Sequence, residues 1–510
     1  MENDFYKALE ERKLLDILKY VEYRPPLFRG FSKVRDLLNE IAFKPNSKIL
    51  VYGDYDVDGL MFTMVTRVFL DALGCNNYEI FPYWKRTHEL DGEAIRYCIQ
   101  NNFDYFIIGD TGSNALSSLE SITQYGTKVL CIDHHVCNYV YDDYPDDIAV
   151  LSSNIENSLE GFTKYKYSAA AFAYVIYDFF AKENSIDYAR NASAYALVSL
   201  YSDCMDMSNE YNRAIYYYAR QLDNEELPNY IQHFLNDYQS FNSRFIEYWY
   251  APRINSLFRN EEFDLINRYF FDDTLNSVEK SQLIATINEH YKTNRDFTNR
   301  LVDLVDVSEL DNFVFADLGT AVNKDKTLAR RTYNYTGLVA NKLSERYYKT
   351  AIVICSTDSY YKGSVRDLYG KNYLNIFQHI CYAAGHNAAF GLKINFLDLD
   401  YFLERVARVD ERYSITGIPN EPLIVKHEYA MPDNALIEDI ALYNEFSGNE
   451  IPVAYLYKQL IGNMRESQNS YYYSYSWGDY FVQSDYHIDF GTKMIIKPIK
   501  SGRTKLLYQG

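Results

Sequence analysis

The stretch "ILVYGDYDVDGL" (residues 49–60) runs from an apolar tetrapeptide into three alternating aspartates, Asp54, Asp56 and Asp58, and closes on Gly59. Its first part, within "SKILVYG" (47–53), reads as a short buried strand entering a turn. From Gly59 onward, "LMFTMVTRVFLDALG" places apolar residues at helical spacing and stops at Gly74. A strand at "NNYEIFPYW" and a helix around "DGEAIRYCIQNN" follow. "FDYFIIGD" and "TKVLCIDHH" are two further apolar runs that end in polar clusters. Strands alternating with helices predict an α/β fold with a parallel, doubly wound sheet. Ligands of such sheets bind beyond the carboxyl ends of the strands. All three clusters fall there.

A calcium loop also begins with alternating aspartates, but it needs a bidentate glutamate at its twelfth position and a helix before it. Counted from Asp54, the twelfth residue is Val65 and the ninth is Phe62. The preceding segment is strand-like, so the calcium-loop reading fails. Asp110 lies in "IIGDTGSN", Asp133, His134 and His135 end "VLCIDHH", and Asp203 and Asp206 lie in "LVSLYSDCMDMS". A lone histidine is more often structural than a ligand. Two adjacent histidines at a strand end fit that reading poorly, because successive side chains point to opposite faces. Carboxylates with imidazole and no thiolate suit Mn2+ or Mg2+ better than structural zinc. Several bridging carboxylates imply two ions roughly 4 Å apart, an arrangement that hydrolyses phosphate esters.

The 510 residues suffice for two to four domains, and 47% hydrophobic with 24% charged residues is ordinary globular composition. The net charge of −19 argues against coating duplex DNA by bulk charge. It leaves room for a nucleic-acid enzyme with an acidic metal site and a locally basic groove. No apolar run reaches the roughly 18 residues that span a bilayer. The charged, helix-like N-terminus lacks a signal-peptide core. Seven scattered cysteines without a CxxC pair indicate a reducing cytoplasm. The 52 tyrosines show no spacing pattern and read as coding bias. Helical stretches are expected at 168–184 and 188–222, a charged helical connector at about 255–315, and a strand at "TAIVIC" (350–355). A helix at 396–412 and a small β-domain around "MIIKPIKSGRTKLLY" complete the pattern. No internal repeat is visible.

"GDYDVDG", "IIGDTGSN", "IDHH" and "SDCMDMSNEYNR", in this order and spacing, resemble the four motifs of the DHH phosphoesterase superfamily. Further segments resemble its RecJ-like single-stranded-DNA exonucleases. "APRINSLFRN" (251–260) is similar to their Pro-Arg-x-Asn segment and "INEHYKTNRDF" to their connector helix. "YTGLVANKLSERYYKTAIVI", "KGSVRDLYGKNYLN" and "AAGHNAAFG" are similar to the DHHA1 substrate-binding domain. "IEDIALYNEFSGNEIPVAYLY" resembles the lead-in to an OB-like domain. The resemblance covers most of residues 47–460. It implies an N-terminal helical segment (1–46), a parallel-sheet DHH catalytic domain (47–250) and a helical connector (251–330). A smaller α/β DHHA1 domain (331–420) and a C-terminal OB-like β-domain (421–510) would follow.

The resemblance also implies roles. Asp56, Asp58, Asp110, His134 and Asp203 would ligate two divalent ions, Mn2+ or Mg2+. Asp54, Asp133 and His135 would be catalytic or supporting residues of the same site, and Asp206 has a weaker claim. Arg86 and His88 in "YWKRTHELDG" (83–92), Arg253, Asn255, Ser364, Arg366, Gly385 and His386 would contact the substrate. "KPIKSGRTK" is a further basic patch, equally readable as a solvated strand. The implied activity is a two-metal, 5′-to-3′ exonuclease on single-stranded DNA in repair, recombination or replication. Single-strand-binding or replication proteins would be its partners, in the cytoplasm and away from membranes. The alternatives are a phosphoesterase for short oligonucleotides or cyclic dinucleotides, and an inactive DHH-fold replication scaffold. Two departures mark a divergent member, such as a phage-encoded one. Ala384 stands where the family has the first of two glycines, and "SLYS" precedes Asp203 where it favours a Gly-Thr turn.

Overall fold

The computed structural model describes residues 3–23, 32–84, 90–155, 166–235, 240–329, 331–347, 349–367, 373–386 and 389–412. Towards the C-terminus it describes 423–426, 434–447, 454–459, 465–468, 473–477, 480–484, 493–499 and 505–508. The chain divides into two compact units. One comprises residues 1–284, 424–448 and 453–510; the other comprises 285–423 and 449–452. Among the described residues, no helix is long and apolar enough to cross a membrane.

In the first unit, helices α1 (Asn3–Glu11) and α2 (Ser32–Phe43) precede a five-stranded parallel sheet. Its strands are β1 (Ile49–Gly53), β2 (Tyr78–Ile80), β3 (Tyr105–Gly109), β4 (Lys128–Asp133) and β5 (Ile148–Ser152), in the order β2-β1-β3-β4-β5. Helices α3 (Val57–Ala72), α4 (Gly92–Gln100) and α5 (Leu116–Thr123) connect them. Both faces of β1 and β3 are buried, which is why these strands are continuous apolar runs rather than alternating ones. The strand order reverses between β1 and β3. The loops leaving their carboxyl ends diverge there and open a crevice, the usual ligand position in doubly wound sheets.

Close packing of α3 on the strand ends sets the shape of that crevice. A Cβ at Gly53 would lie 2.1 Å from the Gly59 carbonyl oxygen, and one at Gly109 would lie 2.1 Å from the Phe62 ring. Gly53 and Gly109 pair in register across β1 and β3, so the helix rests on bare backbone. α6 (Ala169–Glu183) and α7 (Ala192–Ser202) are apolar nearly all round and buried against α3, where Phe69 stacks on Tyr177 with centroids 4.1 Å apart. Much of the tyrosine supplies this core, Tyr52, Tyr174 and Tyr177 among it.

Two features of the first unit differ from the sequence expectation. The strand β5 has no counterpart there, since "IAVLS" is brief and framed by acidic turn residues. The single helical stretch at 188–222 is instead α7 followed by α8 (Glu210–Ala219). Asp203 ends α7, Cys204 takes a left-handed φ of 52°, and the Asn209 side chain caps α8 by accepting from Tyr211 N at 3.0 Å. Short helices α9 (Asn229–Gln232) and α10 (Ser243–Phe245) lead to α11 (Ala251–Asn260) and α12 (Phe263–Phe271).

The long α13 (Ser277–Leu304) leads into the second unit. There β6 (Val307–Glu309), β7 (Phe313–Asp317), β8 (Thr350–Ser356), β9 (Tyr361–Arg366), β10 (Tyr382–His386) and β11 (Ala389–Ile394) form a mixed sheet of order β10-β11-β9-β8-β7-β6. On one face, α14 (Leu318–Lys324) and α15 (Thr336–Tyr347) bury Val339 and Leu343 against Val314 and Val353. On the other, α16 (Leu374–Gln378) and α17 (Leu399–Arg412) bury Phe377 and Phe402 against Val365 and Phe390.

The remaining elements are β12 (Leu423–Lys426), α18 (Asn434–Glu445), β13 (Ala454–Gln459), β14 (Arg465–Gln468), β15 (Tyr473–Trp477), β16 (Tyr480–Ser484), β17 (Lys493–Ile499) and β18 (Lys505–Tyr508). Their seven strands make a sheet of order β12-β13-β17-β18-β16-β15-β14. α18 is fastened within the first unit. Tyr6 donates to Asp439 at 2.6 Å, and the buried Glu445 accepts from Ser243 N at 3.1 Å while its carbonyl accepts from Tyr201 at 2.9 Å.

Candidate metal centre

Four loops converge at the crevice. The β1–α3 loop brings Asp54, Asp56 and Asp58. Asp56 is the N-cap of α3 and accepts from Gly59 N at 3.1 Å. Tyr55 between them is locked outward against Tyr83 and Phe263, with centroids 5.1 and 5.7 Å away. The β3 end brings Asp110, whose φ of 61° is left-handed, a region aspartate tolerates better than most side chains. The β4 end brings Asp133, His134 and His135, and the end of α7 brings Asp203.

His134 Nε2 lies 3.1 Å from Asp110, 3.3 Å from Asp203 and 3.6 Å from Asp58, so the imidazole points into a ring of carboxylates. Three sets of groups are close enough to share an ion: Asp110–His134–His135, Asp58–His134–Asp203, and Asp54–Asp56–Asp110. Asp110 and His134 each belong to two sets, which joins all three into one cluster. Asp206 is in none of them and instead accepts from Ser208 N at 2.8 Å, closing a local turn.

Several residues that hold this cluster carry little signal in the sequence. Asp58 accepts from the backbone N–H groups of Ala169 and Ala170 at 2.9 and 3.0 Å, at the start of α6, and from Ser199 at 2.5 Å. Ser199 and Asp203 are four residues apart on α7 and so share a face. That spacing inside "LVSLYSD" was a signal available in the sequence. Asp133 accepts from the Ser113 hydroxyl at 2.6 Å, from His134 N at 2.7 Å and from His135 Nδ1 at 2.8 Å. Asn154 donates to the His134 carbonyl, and nothing in the sequence singles it out.

The electrostatics are those of a site short of positive charge. Burial, then Asp203 and Asp56, push the Asp58 carboxyl up to about 7, although Ser199 and Ala170 oppose the shift. Burial and neighbouring carboxylates also raise Asp54, Asp56 and Asp110. Burial opposes ionisation of Asp133 too, but the hydrogen bond and charge of His135 outweigh it and hold Asp133 well below the usual range. Conversely, burial disfavours the charged His135, yet Asp133 outweighs this and raises it to about 10. Asp54 Oδ1 is buried with no hydrogen-bond partner among the described residues. An orphaned carboxylate oxygen, an oxygen-rich donor set and one inward imidazole fit a hard divalent cation.

These shifts set a pH dependence. Asp58 binds a proton in the folded state that the unfolded chain has released above about 4. The metal-free protein is therefore expected to lose stability as pH rises from about 4 through 7. Metal binding needs the ionised carboxylates, so Mn2+ should raise the melting temperature much more at pH 8 than at about pH 5.5. Thermal denaturation with Mn2+ or EDTA at both values checks this, and equal shifts at both would contradict it.

The substrate-contact candidates divide between the units. Arg253 is buried in α11, its guanidinium 3.6 Å over the Trp249 ring and donating to the Trp249 carbonyl at 2.6 Å; Asn255, two residues on, is half-buried. In the second unit, register brings Arg366, Ala389 and His386 side by side, with Ser364, Gly391 and Ala384 in the next row. Ser364 pairs with Thr336 at 2.9 Å, and Arg366 Nη2 would lie 2.8 Å from a Cβ at Gly337, in the first turn of α15. Gly385 has a φ of 139° and no room for a side chain, since a Cβ would lie 2.8 Å from the Ala389 carbonyl oxygen. Arg86, His88 and the His386 side chain lie outside the described residues.

The chain resembles known proteins in sequence and in fold. Residues 48–205 match the model of the DHH family, N-terminal domain. The single-stranded-DNA-specific exonuclease RecJ of Bacillus subtilis (strain 168) is 24% identical over 407 residues, which are 76% of this chain and 48% of that protein. The chain thus spans about half the length of that relative. RecJ of Thermus thermophilus is 31% identical over 117 residues, 22% of this chain and 17% of that protein. The crystal structure of Thermus thermophilus RecJ with Mn2+ superposes with a TM-score of 0.69 at 16% identity, over 99% of this chain and 74% of that one. The Mg2+ form gives 0.63 at 15% identity, over 99% and 73%. At these identities the structural likeness shows a shared fold.

Proposed function

We propose that this chain, a divergent RecJ-like member of the DHH superfamily, is a metal-dependent phosphodiesterase that shortens single-stranded DNA from its 5′ end. The observation that carries the reading is the joined cluster of Asp54, Asp56, Asp58, Asp110, His134 and Asp203 at the β1/β3 crevice. The charges acting most strongly on its carboxylates are other carboxylates and His135, so two divalent ions would offset an excess of buried negative charge. Asp56, Asp58, Asp110, His134 and Asp203 would hold these ions, Mn2+ or Mg2+. When bound, such ions supply Lewis acidity, which makes a water nucleophilic at neutral pH and offsets charge on the phosphoryl oxygens.

The chain's own groups do the rest. Asp133 fixes both histidines through one carboxylate, an orienting role of the kind whose loss costs about 10–100-fold in metal affinity or activity. With its proton retained by Asp133, His135 would deliver that proton to the leaving oxygen as the P–O bond breaks. In the second unit, Arg366 and Ser364 offer a planar fork and a hydroxyl suited to a phosphate.

The test uses the full chain with 5′- and 3′-labelled single strands, duplex DNA and a cyclic dinucleotide, in Mn2+ or EDTA. Mn2+-dependent release of label from the 5′ end of single strands is expected. Cleavage of the dinucleotide alone would move the assignment to a dinucleotide phosphodiesterase. No cleavage of any substrate would favour a scaffold. Arg366→Ala should weaken single-strand binding on the order of tenfold at low salt. It should lower the slope of log K against log salt by about 0.7, so the deficit shrinks as salt rises.

A further inference from the structure

We infer that the solvent-open face of β9, β11 and β10 is a track for a single strand, on which Lys362, Lys393 and Tyr382 form a second nucleotide subsite. The inference rests on the proposed single-stranded substrate and extends it beyond the Arg366 row.

Register builds the face. Successive rows across the three strands are Arg366–Ala389–His386, Ser364–Gly391–Ala384 and Lys362–Lys393–Tyr382. These positions alternate with Val365, Phe390, Leu392 and Ala383, which are buried on the opposite face against α16 and α17. α15 covers β8 on this side, and its first turn reaches β9 through the Thr336–Ser364 hydrogen bond. Beyond that wall the sheet is open. Tyr382 is 69% exposed, and Ala384, Gly391 and Lys393 are exposed as well. A Cβ at Gly391 would meet nothing nearer than the Ala384 carbonyl oxygen at 3.8 Å, so the middle row is a bare floor.

Charge identifies the occupant. The chain carries 70 acidic against 51 basic residues, yet β9, β10, β11 and residues 331–344 contain no carboxylate side chain. Lys393 Nζ lies 4.5 Å from the Tyr360 ring centroid and Lys362 Nζ 5.7 Å from that of Tyr333, which holds both ammonium groups at the face. A cationic, acid-free shelf with an exposed tyrosine suits a phosphate backbone with a base stacked beside it. Adjacent rows are about 6.8 Å apart, on the scale of one nucleotide step in an extended strand. A dinucleotide fills one end of the track, whereas a longer strand reaches both cationic rows, so affinity rises with length.

The test measures binding of fluorescent thymidine dinucleotide and dodecanucleotide to the full chain in EDTA, as a function of salt. Two variants alter exposed or half-buried positions: the double substitution Lys362→Ala with Lys393→Ala, and Gly391→Leu, which raises the floor. With melting temperatures unchanged, the double variant should bind the dodecanucleotide on the order of tenfold more weakly. Its salt slope should fall by about 1.4, with dinucleotide binding unaltered. Gly391→Leu, beside Ser364, should weaken the dodecanucleotide at least as much and the dinucleotide as well. Wild-type dodecanucleotide affinity in both variants would overturn the subsite while leaving the proposed function in place. Failure of the unaltered protein to bind any single strand would instead overturn the function on which the subsite depends.

Discussion

Asp58→Ala is expected to lose metal-dependent cleavage by on the order of 10³-fold or more while the protein stays folded. The residue is 2% exposed, belongs with His134 and Asp203 to a set close enough to share an ion, and through His134 borders a second. Its removal leaves Ala169 N–H and Ala170 N–H without their acceptor, while the Ser199 hydroxyl keeps its pairing with Ser168; each buried group left unsatisfied costs about 1–3 kcal/mol. Against this, the variant deletes a buried charge that Asp203 and Asp56 both repel. The two effects oppose each other, so the melting temperature in EDTA should move little. What disappears is the stabilisation by Mn2+. Thermal denaturation and Mn2+ titration by electron paramagnetic resonance separate the two quantities. Wild-type Mn2+ stabilisation in this variant would remove Asp58 from the ligand set.

Gly109→Ala should destabilise the first unit by about 3 kcal/mol. The added Cβ would lie 2.1 Å from the Phe62 ring, which is itself fully buried. The clash pushes α3 away from the ends of β1 and β3, and Asp56 and Asp58 ride on the start of that helix. Activity and metal binding should therefore fall together with stability. Phe62→Leu in the same chain trims the opposing ring and should recover part of the loss, although Phe62→Leu alone is destabilising. Urea midpoints for the two single variants and the double test this coupling. Strict additivity would show that the helix and strand do not meet as described.

The pattern of strands ending in acidic or histidine residues was legible without any structure. "ILVYGD", "YFIIGD" and "VLCIDHH" are apolar because β1, β3 and β4 are buried on both faces, and a parallel sheet puts all their carboxyl ends at one edge. The metal-site candidates on those ends, with Asp203, do come within reach of one another. Harder to read was the support. Ser113, Asn154, Ser199 and the start of α6 act through hydrogen bonds to residues as far as 141 positions away. Residues 188–222 looked like one helix because α7 and α8 are both helical in composition. The break at Asp203 depends on a left-handed Cys204 and an Asn209 cap, neither of which disturbs hydrophobic period.

By itself, then, the sequence determined element type and the chemistry at each strand end, because periodicity and strand-terminal residues are local properties. Only the tertiary structure decided that β1 and β3 are neighbours at the reversal of strand order, and that α3 rests on their paired glycines. It alone aligned Lys362, Lys393 and Tyr382 in one row. Such alignments come from pairing register and helix-on-sheet contact between distant segments, and no local pattern carries that information.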